Sequence, residues 1–169
     1  MSSCHPASQS RSSLIQLTRR QLYLHEYQAA QLIHRYKIPI PLGTVAFSGK
    51  EAFAIGRKFG SDFNRKFVVK AQVKGFARTK GVFLENGFEK GIHICDSIHD
   101  VRAVADKMIG KRLILPDGDP NGRICNSVLV MEHLDVLQQF FLGITLDRKT
   151  GNPVITYSDV GGLSLAKLR

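Results

Sequence analysis

Downstream of Glu26, the apolar residues Ala29, Leu32, Ile33 and Tyr36 fall at i, i+3, i+4 and i+7. That spacing predicts an amphipathic helix, and Pro39 and Pro41 stop it. Leu42 to Phe47 reads as a short strand. Ser48 with Glu51 three residues later predicts a capping box that opens a second helix, in which Ala52, Ile55, Gly56 and Phe59 repeat the same face and Gly60 closes it. Lys66 to Val73, rich in Val and Phe, predicts a strand. The loop Lys74 to Gly81 follows, then an extended piece around Gly91 to Cys95. A third helix carries Val101, Val104, Ala105 and Met108 as its buried stripe. Ser97 is its N-cap, and Gly110 stands where a left-handed C-cap residue belongs.

Beyond Lys111 the pattern changes from helical to extended. Arg112 to Leu115, Ser127 to Glu132, Gln138 to Asp147 and Val154 to Ser158 read as strands, separated by turn-rich Pro116 to Gly122 and Arg148 to Pro153. In the third of these, Phe140, Leu142, Ile144 and Leu146 alternate with Phe141, Gly143, Thr145 and Asp147, the period of a half-buried strand. The expected fold is α/β (α+β), a mixed sheet with helices against it.

Composition narrows the choice. A chain of 169 residues suits one ordinary domain. No apolar run approaches the ~20 residues that a membrane-spanning helix needs, so no membrane partner is expected. The net charge of +10 raises the question of nucleic acid. Its Lys and Arg residues are scattered over helices, turns and strand ends rather than gathered in a stripe, which points to a solvated surface and to no nucleic-acid partner. Cys4, Cys95 and Cys125 are widely spaced, with no C-x-x-C pair, and read as reduced thiols rather than a zinc site or a disulfide scaffold.

Residues 1–22 contain six serines, three arginines and no acid. That is the composition of a mitochondrial transit peptide, and it places the domain at 23–169 and the protein in the mitochondrial matrix.

Three places carry candidate chemistry. On the strand Lys66 to Val73, Phe67, Val69, Ala71 and Val73 share one face, and Val68, Lys70 and Gln72 the other. An ammonium at the middle of such a strand either reaches water from a sheet edge or lies against an anion, since burying it alone is costly. The loop Lys74-Gly-Phe-Ala-Arg-Thr-Lys-Gly81 places glycines, Arg78 and two lysines at the end of that strand, an arrangement that suits a polyphosphate. It matches neither G-x-G-x-x-G nor the P-loop pattern, and basic turns are commonly only solvated turns. Glu132 ends the apolar run Val128 to Met131, where an acid can accept hydrogen bonds from a ribose or an exocyclic amine, or simply meet the surface. None of the six histidines sits in a catalytic or metal-binding constellation.

Leu24-His-Glu-Tyr-Gln-Ala-Ala30 resembles the opening L-H-E-Y-Q-A of succinate-CoA ligase beta subunits. The resemblance continues through Val68-Val-Lys-Ala-Gln-Val73, Met108-Ile-Gly-Lys-Arg-Leu113, Leu134-Asp135, Leu146-Asp-Arg148, Gly151-x-Pro-Val154 and Gly161-Gly162, in the family's order, from residue 24 to about residue 165. It implies an ATP-grasp domain in which Lys70 contacts nucleotide phosphate, the loop at Ala77, Arg78 and Thr79 covers the phosphates, and Glu132 meets the base or ribose. It also implies magnesium with ATP or GTP, and an alpha subunit as heterodimer partner. The family's nucleotide phosphorylates a histidine of that alpha subunit, and the phosphoryl group then activates succinate for thioester formation with coenzyme A, in the tricarboxylic acid cycle. The stretch from Lys80 to His93 is similar to the mitochondrial GTP-type subunits, while Pro41 falls at a family specificity position and leans away from GTP.

Three departures accompany the resemblance. The family loop reads G-G-R-G-K-G, where this chain has Phe76-Ala-Arg-Thr-Lys-Gly81, so a phenyl ring and a β-branched side chain stand where backbone meets phosphate. Gln139 replaces a family glutamate. The chain ends at Arg169, ahead of the family's magnesium-binding Asn and Asp and its alpha-binding carboxy-terminal domain, so alone it is not expected to catalyse the reaction. The other function compatible with these departures is a catalytically inactive paralogue or fragment with an interaction or structural role.

Overall fold

The computed structural model describes residues 24–60, 65–74, 78–116 and 119–162; the leader expected at 1–22 lies outside them. The first helix, α1 (Glu26–Arg35), starts where the Gln28 side chain accepts a hydrogen bond from the His25 amide at 2.9 Å. It ends ahead of Lys37, which takes a left-handed φ of 62°, two residues before Pro39. Its apolar stripe is uncovered: α1 has no buried residue, and Leu32, Ile33 and Tyr36 are all exposed.

Strand β1 (Gly43–Ala46) leads into α2 (Gly49–Lys58). Ser48 Oγ accepts from the Glu51 amide, as expected. The returning half of the box is displaced by one residue, because the Glu51 carboxylate accepts from the Phe47 amide at 2.8 Å and not from that of Ser48. Next come β2 (Phe67–Ala71), a one-turn 3₁₀ helix at Arg78–Lys80, β3 (Val82–Phe83), β4 (Ile92–Cys95) and α3 (Ile98–Met108). Ser97 Oγ caps α3 by accepting from the Asp100 amide, and Gly110 closes it at a φ of 79° that only glycine adopts without strain. The chain finishes with β5 (Arg112–Ile114), β6 (Arg123–Ile124), β7 (Val128–Glu132), β8 (Phe141–Leu146) and β9 (Pro153–Ser158).

The α/β character is as expected, and the strands among the described residues form three sheets with antiparallel pairings. A four-stranded sheet runs β1-β7-β2-β4, a three-stranded one β3-β5-β6, and β8 pairs only with β9. Helices α2 and α3 pack on each other and on one face of the four-stranded sheet. Phe67, Val69 and Ala71 of β2, Val128 and Val130 of β7, Ala46 and Cys95 meet Ala52, Val101, Ala105 and Met108 there. Phe83, Leu113 and Cys125 extend this core to the smaller sheet. Burial pushes the thiols of Cys95 and Cys125 up to about 12 and about 11, so both stay protonated and unreactive, in keeping with their reading as reduced thiols.

The β8–β9 hairpin departs from the expected half-buried strand. The predicted apolar face is the open one, with Leu142 at 72% and Ile144 at 75% exposure, while Phe141 on the other pleat is partly covered. The reason is topological: among the described residues β8 has a partner along one edge only, and no helix packs extensively on the pair.

Candidate functional site

Pleating decides what β2 presents. Its odd-numbered residues point into the core, so Lys70 projects from the face turned away from α2 and α3. Because β2 lies between β7 and β4, Lys70 is not an edge lysine reaching water. The other expectation holds: an anion lies against it. Lys70 Nζ donates to Glu26 Oε1 at 2.8 Å, with the lysine side chain only 22% exposed.

The same carboxylate takes a second cation. Arg78 Nη2 donates to Glu26 Oε2 at 2.7 Å, and Arg78 Nη1 donates to the carbonyl of Ala71, the last residue of β2, at 2.8 Å. Backbone contacts fix the turn beneath that guanidinium. The Arg78 carbonyl accepts from the Gly91 amide at 2.7 Å, and the Gly91 carbonyl accepts from the Ala71 amide at 2.8 Å. A side chain on Gly91 would be tightly placed, since a Cβ there would stand 3.3 Å from the Arg78 oxygen and 3.0 Å from Leu113. Gly91 thus bridges the cationic turn and the end of β2 through its backbone.

Burial raises the pKa of Glu26, and the hydrogen bonds and charges of Lys70 and Arg78 more than offset it, so the carboxyl titrates below its ordinary range and is ionised at neutral pH. His25 next to it is lowered, first by burial and then by the positive charges of Lys74 and Arg78, and is neutral there. Gln72, almost fully buried, adds a further tie: its Oε1 accepts from the Tyr27 amide at 3.4 Å while its Nε2 donates to the Lys70 carbonyl.

Of the five sequence-derived candidates, Lys70 and Arg78 converge, and Thr79 sits half-buried in the 3₁₀ turn beside them. Ala77 lies outside the described residues. Glu132 stands apart. In the β2–β7 register Lys70 faces Leu129 while Glu132 faces Phe67, three residues along and on the other pleat, so the two are separated by about 10 Å of strand. Glu132 is tied to β1's approach, its Oε1 accepting from the Leu42 amide at 2.8 Å and its own amide donating to the Leu42 carbonyl. Glu26 was missed as a site residue by sequence reasoning, which met it at the start of α1 and in the Leu24–Ala30 motif without giving it a role. The available signal was the demand of a mid-strand lysine for an anion.

The partly buried cation pair keeps donors in reserve. Among the described residues Lys70 makes one side-chain hydrogen bond and Arg78 two, out of about three and about five N–H groups. Two cations sharing one carboxylate leave a net positive, donor-rich spot at a strand end, which fits a phosphate chain. No three His, Cys, Asp or Glu side chains among the described residues gather as metal ligands.

The comparisons with known proteins give this α/β domain a family. Residues 23–168 match the ATP-grasp domain, so the chain belongs to the ATP-grasp family. It is 37% identical over 153 residues to the mitochondrial succinate-CoA ligase (ADP-forming) subunit beta of Neurospora crassa, covering 90% of this chain and 33% of that protein. It is 34% identical to the mitochondrial GDP-forming subunit beta of Dictyostelium discoideum, covering 86% and 34%. Against the mitochondrial ADP-forming subunit beta of Saccharomyces cerevisiae it is 32% identical, covering 99% and 38%. The resemblance to succinate-CoA ligase beta subunits therefore holds, and the chain spans about a third of the length of these curated relatives.

Proposed function

We propose that this chain is the nucleotide-binding part of a succinate-CoA ligase beta subunit, taking ATP or GTP phosphates on Lys70 and Arg78. The observation that carries the reading is the convergence of these two cations on a single carboxylate at the end of β2. Thr79 and Ala77 belong to the loop that covers the phosphates, and Glu132, half-exposed at the end of β7, meets the base or ribose with the carboxylate oxygen that Leu42 does not use. In the assembled enzyme the bound nucleotide exchanges a phosphoryl group with a histidine of the alpha subunit, coupling succinyl-CoA to succinate and coenzyme A.

Magnesium belongs to that phosphoryl transfer, where it would neutralise charge developing on the phosphates. The described residues offer it no cluster of carboxylates, so its ligands are assigned to none of them. The role of this chain's own residues is to bind and orient: Lys70 and Arg78 hold the phosphates, and the turn fixed by Gly91 sets where Arg78 stands. The proposed location is the mitochondrial matrix, supported by the acid-free, Ser- and Arg-containing residues 1–22 acting as transit peptide to a domain at 23–169.

A thermal-shift titration of the full chain with Mg-ATP and Mg-GTP tests the reading, because a ligand that binds the native state raises its melting temperature. A rise with either nucleotide that disappears in Lys70→Ala is expected. No rise with either would instead support the paralogue that has kept the fold and lost the chemistry, a reading favoured by Phe76 and Thr79 standing at loop glycine positions.

A further inference from the structure

The Glu26 carboxylate lies between the two cations. Lys70 and Arg78 belong to different segments, one on an interior strand and one on a 3₁₀ turn, and two positive side chains brought this close repel each other. Glu26 answers that repulsion with one oxygen for each, at 2.8 and 2.7 Å, and all three side chains are at least two-thirds covered. Among the described residues these bonds leave N–H groups of both cations unused, and the Ala71 carbonyl fixes the other arm of the guanidinium. Helix α1 delivers the carboxylate from its first turn, where an acid is also favoured by the helix N-terminus.

We propose that Glu26 is a positioning residue for phosphate binding, one that locks Lys70 and Arg78 side by side so that both address the same phosphate chain. This inference rests on the reading of Lys70 and Arg78 as phosphate ligands. It makes a prediction whose sign is the opposite of simple electrostatics. A carboxylate that merely neutralised the cations would oppose an incoming anion, and its removal would tighten anion binding. A carboxylate that aligns them weakens binding when it is lost, because the ligand must then order the two side chains itself.

The experiment is calorimetric titration of the full chain with inorganic tripolyphosphate, without metal, well below the melting temperature of every variant. Glu26→Gln keeps the shape and removes the charge; Glu26→Asp keeps the charge on a shorter arm. The expected result is about tenfold weaker binding for Glu26→Gln and partial recovery in Glu26→Asp, with Lys70→Ala abolishing binding. If Lys70→Ala abolishes binding while Glu26→Gln binds as well as or better than the parent, the positioning role falls and the phosphate site stands. If the parent binds no tripolyphosphate, or Lys70→Ala binds it equally well, the phosphate reading falls and takes the positioning role with it.

Discussion

At the scale of single residues, two neighbouring groups at the start of α1 respond to acid, as Glu85 and Asp147 do elsewhere. The pKa of His25 is lowered from 6.5 and that of Glu26 from 4.5, so for both the folded state binds protons less readily than the unfolded chain. The stability they supply is complete above those ordinary values. It declines as pH falls below 6.5 for His25, then below 4.5 for Glu26, until each folded-state pKa has been crossed. Denaturant melts across pH 3 to 8 are expected to show this two-stage loss, with the lower stage diminished in Glu26→Gln. Gly81 gives a steric counterpart. A Cβ there would lie 2.7 Å from the buried Leu113 and 3.0 Å from the Ile114 carbonyl, so Gly81→Ala is expected to destabilise the fold by about 1–3 kcal/mol in urea titrations. Lys70 and Arg78 were legible because a mid-strand cation and a basic glycine loop are local signals. Glu26 was not, because its ion pairs span 44 and 52 residues and nothing in the spacing announces them.

At the scale of elements, the sequence spoke most clearly where side chains close on their own backbone. Ser48 and Ser97 were readable as N-caps because the acceptor and the amide it serves are three residues apart. Replacing Ser97 by Ala is expected to lower stability by about 1 kcal/mol, measured by thermal and urea denaturation. Strands β3 and β6 escaped prediction since two residues cannot display an alternation, and both are defined by long-range pairing with β5. The hairpin shows how far local chemistry carries an element. Asp147 accepts from the Lys149 amide and the Thr150 hydroxyl, Gly151 takes a φ of 70°, and β8 pairs with β9 over six residues. Its alternation was read correctly and its burial was not, because a period of two says which residues share a face and not whether anything covers it.

At the scale of the whole molecule, two kinds of attachment coexist. The sheet, α2 and α3 share a continuous apolar core, whereas the β8–β9 hairpin leaves Leu142, Ile144 and Ile155 open. An open apolar strand of this length invites edge-to-edge association, so Ile144→Lys is expected to slow aggregation of the full chain, followed by light scattering, without moving its melting temperature. Helix α1 is a different case: it buries no residue and is tied to β2 through Glu26 and Gln72. Salt therefore acts on the two parts with opposite signs. Sulfate strengthens the burial that holds the core while screening the charges that hold the helix, so rising ionic strength would raise the midpoint of global unfolding as it frees the amides of α1 for hydrogen exchange. The end of the chain that carries the anchoring carboxylate would come loose in the very solvent that hardens the rest.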